Sequence, residues 1–327
     1  MTKGTSTRRK NRLPGSLYGN FDPGNNDKLM ISYSRVPSHD YVMYGACGVL
    51  FQGEIHFFGG KAFGDGDLSR QHFVIEIQRS GQTVKLTRKR DPKIGFGNPS
   101  CSSFETTSEY FPWFQTSVAI ICFDSSRAQS CYLYDDDLDY IGDSDYGHSS
   151  GGLTKYKGAL LTVGGLPGFT LYPKTEILSQ DANETFSWST VEQDFEFYQI
   201  QYMWSSSILG HSLVTIESPG INEEYVLLIG GNNELGKLLK DVFKFDGSWL
   251  RFGTLNRGRN SHNSIYWNGA VYVIGGAYDY FQHKTKMEIW NIKDSPDKFK
   301  TTENWPELFD WESPHLFIVP DSFFPDH

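Results

Sequence analysis

Short apolar runs recur along the chain, separated by polar turn residues, with no helical spacing of apolar positions between them. Four runs end in a glycine doublet, and the doublets are Gly59-Gly60, Gly164-Gly165, Gly230-Gly231 and Gly275-Gly276. A second strand-like run follows each doublet, and further runs lie before and after this pair. Runs of this length, bounded by turn residues, are typical of β-strands. The pattern predicts a repeat of four short antiparallel strands.

Two weaker copies extend the repeat. The gap between Gly60 and Gly164 exceeds one unit of about 50 residues. Within it, residues 118–124 end a strand where a doublet would fall, with Cys122-Phe123 in place of the glycines. A sixth copy covers residues 316–321. The doublets predict positions that need a positive φ or close backbone approach. A tryptophan follows in three units, and we expect these side chains to fill the space between neighbouring units: Trp188, Trp249 and Trp305.

One unit resembles a nearly complete kelch repeat. Residues 256–264 contain Arg259 and His262, residues 269–276 end in a doublet, and Glu288-Ile289-Trp290 follows. With the other copies, the chain is similar to the kelch and galactose-oxidase-like propeller family, in a divergent animal form, over about residues 44–320. The resemblance implies a β-propeller that binds through its loops. It also implies that histidines opening the inner strands bond backbone within each blade; these are His148, His211 and His262.

We therefore expect an all-β fold: a six-bladed kelch-type β-propeller with four-stranded antiparallel blades. Residues 1–27 form a polar lead-in that we expect to be disordered, and residues 28–327 form one propeller domain. A strand-like run over 28–33 precedes the first full unit. We predict that residues 28–42 complete the blade begun near Trp311. The N- and C-terminal strands would then close the ring and remove its open edges.

The net charge and the cysteines indicate which partners and which compartment suit this chain. The formal net charge of −9 disfavours nucleic acid as a partner, and no apolar run is long enough to span a membrane. Cys122 and Cys131 flank a short connection and could form a cross-strand disulfide, or all four cysteines could be reduced. A bridge between Cys47 and Cys101 is less favoured. A disulfide requires an oxidising compartment, and Asn183-Glu184-Thr185 is a glycosylation acceptor pattern; both favour an extracellular over a cytoplasmic setting.

No motif for a nucleophile, a phosphate loop or a metal ligand set is present, so we expect no cofactor and no enzyme activity. The hypothesis is a scaffold that binds a protein, or alternatively a glycan, through propeller loops. Exposed aromatics are favoured binding anchors, and the candidates are Trp113, Phe169, Tyr172, Tyr278, Tyr280 and Phe281. The alternative is a metal-dependent, galactose-oxidase-like copper oxidase. Cys131-Tyr132 cannot supply its cross-linked pair, because neighbours on a strand point to opposite faces. The aspartates over 135–145 could bind calcium or form a solvated turn.

Overall fold

The computed structural model describes fourteen stretches of the chain. These are residues 16–19, 27–32, 44–61, 70–77, 84–90, 92–106, 116–166, 174–192, 208–217, 223–233, 235–277, 287–294, 299–301 and 315–320. Every regular element within them is a β-strand. The prediction of an all-β fold is confirmed.

Near the N-terminus lie β1 (Ser16–Gly19) and β2 (Asp27–Ser32). Five four-stranded sheets follow in chain order, and each is one blade. Blade 1 contains β3 (Tyr44–Phe51), β4 (Glu54–Lys61), β5 (His72–Ile77) and β6 (Val84–Arg88). Blade 2 contains β7 (Ser100–Thr106), β8 (Thr116–Asp124), β9 (Arg127–Tyr134) and β10 (Leu138–Asp143). Blade 3 contains β11 (Gly152–Tyr156), β12 (Ala159–Val163), β13 (Thr175–Gln180) and β14 (Phe186–Thr190).

A short pair precedes blade 4 and reaches into it: β15 (Ile208–Leu209) bonds β18 (Asn232–Asn233). Blade 4 itself contains β16 (Ser212–Glu217), β17 (Glu224–Ile229), β19 (Asp241–Phe245) and β20 (Trp249–Thr254). Blade 5 contains β21 (Asn260–Trp267), β22 (Ala270–Ala277), β23 (Glu288–Asn291) and β24 (Lys300–Thr301). The last strand is β25 (His315–Pro320).

The blades form a β-propeller. Within each blade, consecutive strands pair antiparallel, and the first strands of successive blades, β3, β7, β11, β16 and β21, contact one another. The four-stranded antiparallel blade predicted from the repeat is confirmed. The predicted number of blades is not: the described residues form five four-stranded sheets, not six. The sixth unit is incomplete because only one strand of its repeat, β25, lies in the described part of the C-terminal region.

A three-stranded sheet joins residues from both terminal regions, and we call it the terminal sheet. Its order is β1–β2–β25, with Asp27 opposite Pro320 and Ser32 opposite His315. The ring of Phe57 in blade 1 contacts the rings of His315 and Phe317 at centroid distances of 5.1 and 6.0 Å. Leu316 and Ile318 pack against a buried cluster in blade 5. The terminal sheet therefore contacts both blade 1 and blade 5.

Apolar clusters between neighbouring blades form the core. Trp249 in blade 4 is 3% exposed, and its indole N–H donates to the Thr175 hydroxyl of blade 3 across 2.8 Å. Trp188 in blade 3 lies partly buried with its ring 5.6 Å from that of Phe123 in blade 2. A four-stranded sheet cannot bury both faces alone, so these side chains occupy the space between two sheets. Trp305 lies outside the described residues.

The glycine doublets lie at the end of each second strand, where the backbone contacts the next blade. The first glycines have φ of 59° to 75°, and the second glycines have φ of 86° to 97°. The second glycine N–H donates to a carbonyl of the following blade: Gly60 to Phe96 at 3.0 Å, Gly165 to Ile208 at 2.9 Å and Gly231 to Arg259 at 2.8 Å. The doublet thus combines left-handed backbone with direct contact between blades.

Gly59 allows a test of that contact. A Cβ on Gly59 would lie 2.3 Å from the Phe96 carbonyl oxygen, whereas a Cβ on Gly53, at nearly the same φ, would meet nothing within 4 Å. We expect Gly59→Ala to lower the free energy of unfolding by about 3 kcal/mol and Gly53→Ala by about 1 kcal/mol. Urea denaturation of both variants measures the difference. Equal losses would mean that backbone conformation alone, without the blade contact, explains the glycine.

The doublet of blade 2 is replaced by Phe123-Asp124, one residue later than the sequence suggested. Ser100 pairs with Cys122, just as Gly152 pairs with Val163 and Ser212 with Ile229, so Cys122 is the residue before the doublet. Phe123 has φ of 62°, within the range of the first glycines. Asp124 is 1% exposed and binds Arg127 Nε through Oδ2 at 2.6 Å. Buried packing of the Phe123 ring offsets its unfavourable backbone conformation.

All four cysteines lie in two pairs. Cys122 and Cys131 face each other in the β8–β9 register with Cα atoms 4.2 Å apart. Cys47 in β3 and Cys101 in β7 have Cα atoms 5.6 Å apart, so this pair links blade 1 to blade 2. The bridge predicted across the hairpin is present at disulfide distance. The bridge less favoured from sequence is present as well, because the first strands of adjacent blades run side by side.

Candidate binding site at one end of the propeller

The two ends of the propeller carry different connections. In a blade whose strands follow one another antiparallel, connections alternate between the ends of the sheet. The connections from first to second strand therefore leave one end. The connections that follow the glycine doublets leave the opposite end, which we call the doublet end. Near the axis the doublet end also carries the segments that enter each first strand, such as residues 208–211 before β16.

A set of left-handed residues lies where each blade begins, and we call it the axial ring. Its members lie within two residues of the start of the first strands of blades 1 to 5 and have φ of 51° to 70°: Gly45, Asn98, Ser150, Gly210 and Ser261. Flanking register pairs, such as Ala46 with Gly59 and His262 with Gly275, place each member opposite the second doublet position of its own blade. Gly, Asn and Ser occur there because small or amide side chains tolerate the left-handed region.

Hydrogen bonds connect the axial ring from blade to blade. The Asn98 N–H donates to the Gly45 carbonyl at 2.9 Å, Gly210 to Ser150 at 3.0 Å and Ser261 to Gly210 at 2.7 Å. The side-chain amide of Asn98 also donates to the Ser150 hydroxyl at 2.9 Å. No member is charged. The ring therefore presents amide, hydroxyl and main-chain groups, which suit a peptide backbone or a polyhydroxylated ligand.

Two exposed leucines lie in connections at the doublet end. Leu166 directly follows the doublet of blade 3 and is 44% exposed, and Leu235 in the corresponding connection of blade 4 is 75% exposed. Leu250 and Tyr140 are the other large hydrophobics exposed within the described stretches, and they lie on the outer strands β20 and β10. Two exposed leucines in equivalent connections of adjacent blades form the most apolar part of the doublet end that the structure describes.

Buried carboxylates fix the segments that lead into blades 3 and 5. Glu288, 1% exposed, accepts from the backbone N–H of Asn256 at 2.6 Å and binds Arg259 NH2 at 2.5 Å. Glu176, fully buried, accepts from the N–H of Asp145 at 2.8 Å and binds His148 Nε2 at 2.7 Å. Both carboxylates lie on third strands. Each is one position after the residue that pairs with the last residue before the doublet. These are structural ties, because each carboxylate is saturated by donors from its own blade's entry segment.

The three histidines occupy two different positions. His211 and His262 lie opposite the first doublet glycine of their own blades, where blade 3 has Gly151. His148 lies three residues before Gly151, and its Nδ1 bonds the Gly164 carbonyl of its own blade at 2.7 Å. His211 and His262 have both ring nitrogens buried without a hydrogen-bond partner. The bond to backbone within a blade, expected for all three, is thus made by His148 and not by the other two.

Burial changes the acid–base behaviour of both residues. Desolvation lowers the pKa of His211 to about 4, and the nearby His148 ring contributes to this shift. Desolvation and the Arg259 guanidinium lower the pKa of His262 well below its ordinary value. Both imidazoles are therefore neutral at pH 7.

The aromatic binding candidates lie outside the described residues, although the strands around them show which connections carry them. Phe169 and Tyr172 belong to the connection β12–β13, and Tyr278, Tyr280 and Phe281 to β22–β23, both of which follow doublets. Trp113 belongs to the connection β7–β8, which joins a first strand to a second strand.

The axial ring and the exposed leucines were missed at the sequence level. The usable signal was the residue facing each second doublet glycine, which is Gly, Asn or Ser in every described blade. The aspartate turn after β9 is exposed at Asp135, Asp136 and Asp137, and Lys93 lies 3.9 Å from Asp137. In the described stretches, no three His, Cys, Asp or Glu side chains converge in a group that could hold a metal ion.

No described helix has the length and apolar character needed to cross a membrane. Neither models of known protein families nor curated protein sequences give a match to this chain. The class established by the structure is therefore the β-propeller with four-stranded antiparallel blades.

Proposed function

We propose that this protein is a non-enzymatic scaffold that recognises a protein partner through the doublet end of its propeller. The observation that carries the proposal is the pair of exposed leucines, Leu166 and Leu235, at the end of the propeller that also carries the uncharged axial ring. Apolar side chains surrounded by neutral hydrogen-bonding groups are typical of the centre of a protein interface. A glycan is the second ligand class, supported by the amide and hydroxyl groups of Asn98, Ser150 and Ser261.

We also propose that the propeller is of kelch type and that the terminal sheet closes its ring between blade 5 and blade 1. The contacts of β25 with Phe57 on one side and with the blade 5 cluster on the other support this arrangement. The Arg259–Glu288 pair and the entry of His262 into β21 support kelch-type repeats.

We also propose that the protein is extracellular. Two cysteine pairs at disulfide distance support an oxidising compartment. Asn183 supports it further, because this acceptor asparagine is exposed in the turn between β13 and β14. Its backbone N–H donates to Asp181 Oδ1 at 2.9 Å, which fixes Asn183 within that turn.

A capture experiment with matched variants tests the binding surface. Tagged protein would be incubated with secreted fluid of the source tissue, and bound proteins quantified by mass spectrometry. We expect Leu166→Glu/Leu235→Glu to reduce recovery of specific partners at least tenfold, since burying a carboxylate at the interface costs more than 1.4 kcal/mol. Leu250→Glu is the control, because Leu250 is 47% exposed on the outer strand β20.

Equal recovery by both variants would contradict the assignment of the doublet end. A glycan array probed with the same variants separates a carbohydrate ligand from a protein partner. Metal analysis of the purified protein addresses the oxidase alternative, and copper bound at one ion per chain would overturn the scaffold proposal.

A further inference from the structure

Each of the two joints of blade 4 has a histidine at the position opposite the first doublet glycine of its own blade, and that histidine packs against the preceding blade. A Cβ on Gly164 of blade 3 would lie 3.1 Å from Cε1 of His211, and a Cβ on Gly230 of blade 4 would lie 3.0 Å from Cε1 of His262. Each imidazole of the following blade is thus inserted against the first doublet glycine of the preceding blade. Both rings are about 6% exposed. Two consecutive joints therefore contain a buried imidazole in direct contact with a neighbouring blade.

The equivalent positions in the other described blades cannot titrate. The residues there are Ala46 in blade 1, opposite Gly59, Pro99 in blade 2 and Gly151 in blade 3. The joint between blades 1 and 2 is additionally cross-linked by Cys47 and Cys101. The capacity to gain a charge at this position is therefore confined, among the described blades, to the two joints of blade 4.

In the described part of the chain, no carboxylate faces either ring to stabilise that charge. The titratable and charged groups facing His211 are His148 from blade 3 and His262 from blade 5, and those facing His262 are Arg259 and His211. Arg259 is itself bound to the Glu288 carboxylate. Backbone carbonyls of Val163, Ile208 and Ile229 favour a proton but lie outside hydrogen-bonding geometry. A proton on either ring would thus be an uncompensated buried charge beside positive or neutral groups.

We propose that the two joints of blade 4 form an acid-sensitive device: protonation of His211 and His262 separates blade 4 locally from blades 3 and 5. Leu166 and Leu235 follow the doublets of blades 3 and 4, so this separation displaces them relative to each other. That consequence for binding rests on the proposed function, whereas the separation itself does not.

The direction with pH follows from the depressed pKa values. The histidines of a closed joint bind protons less readily than those of an open joint. The closed joint is therefore most stable above pH 6.5, and its stability falls as the pH decreases toward about 4. For His211 alone, lowering the pH from about 7.5 to about 5 makes opening about 30-fold more favourable. A second protonated ring adds to this effect.

Hydrogen–deuterium exchange at these two pH values, corrected for intrinsic exchange rates, measures joint opening without any partner. Amides that bridge the blade 4 joints report on opening, and these are Gly165, Gly210, Gly231 and Ser261. Gly60 and Asn98 report on the joint between blades 1 and 2, which also contains the buried His56 and His72 but is held together by the Cys47–Cys101 pair. We expect the first group to lose protection by at least about 30-fold at the lower pH while the second group changes much less.

Substitution assigns the effect to the two imidazoles. His211→Ala/His262→Ala introduces a residue that blade 1 already has at this position, and we expect it to abolish the pH-dependent loss at all four reporters. His315→Ala is the control, because burial also lowers the pKa of His315 to about 4 but its strand belongs to the terminal sheet. If the double variant does not fold, each single variant should remove the response at its own joint.

Three outcomes would overturn the proposal: unchanged protection of the wild-type reporters at the lower pH, an equal loss throughout the chain, or a full response in the double variant. Failure of the leucine capture experiment would affect none of these measurements. The two proposals can therefore fail separately.

Discussion

Replacement of Glu288 by alanine is expected to lower the free energy of unfolding by about 3–5 kcal/mol. The substitution leaves Arg259, 2% exposed on its side chain, without its carboxylate and removes the acceptor for the Asn256 backbone N–H. An unpaired charge and an unpaired amide then remain buried, and each carries a desolvation penalty. Urea denaturation monitored by tryptophan fluorescence gives the loss directly.

Asp241→Ala is the matched control for this experiment. Asp241 also stands at the start of a third strand and binds Arg251 at 2.9 Å, but the Arg251 side chain is 53% exposed. Because water solvates both groups once the pair is broken, we expect a loss of no more than about 1 kcal/mol. Similar losses for the two variants would show that the buried pair in blade 5 has no special role. The stability loss caused by Glu288→Gln should lie between these two values, because the glutamine amide oxygen still accepts a hydrogen bond from Asn256.

Removal of the bridge between Cys47 and Cys101 is expected to cost about 4 kcal/mol, and removal of the Cys122–Cys131 bridge about 3 kcal/mol. The difference comes from the residues enclosed, since the pairs are separated by 54 and 9 positions in the chain. A longer closed segment restricts the unfolded chain more strongly. Thermal unfolding of the two double alanine variants measures both losses.

Reductant provides the control for the disulfide experiment. We expect wild-type protein in dithiothreitol to approach the stability of the variant lacking all four cysteines, whereas that variant should not respond to reductant. Four free thiols in the untreated protein, detected by mass spectrometry, would contradict both bridges. They would also remove the main support for an oxidising compartment.

Much of the repeat could be predicted from local sequence. The glycine doublets mark the end of the second strand in four blades because a glycine accepts both the left-handed φ and the adjacent carbonyl without strain, as at Gly59. The third strands were also located correctly, because their apolar runs are short and bounded by turn residues. These features depend on neighbours in sequence, so a single chain is enough to find them.

Features that depend on distant partners were harder to predict. The hairpin bridge between Cys122 and Cys131 followed from a short connection, whereas the Cys47–Cys101 bridge needed the first strands of two blades to lie side by side. His148 resembled His211 and His262 in sequence, yet the β11–β12 register places it three residues away from their position. The degenerate doublet was misplaced by one residue, because no apolar pattern reveals register across a sheet.

The sequence alone determined that this protein consists of repeated four-stranded units, since strand length, turn residues and glycine requirements are local properties. Only the tertiary structure decided the axial ring, the joints of blade 4 and the end at which each connection lies. Those features arise where residues from different blades meet, and contacts between blades are set by packing and register rather than by the order of residues within one unit.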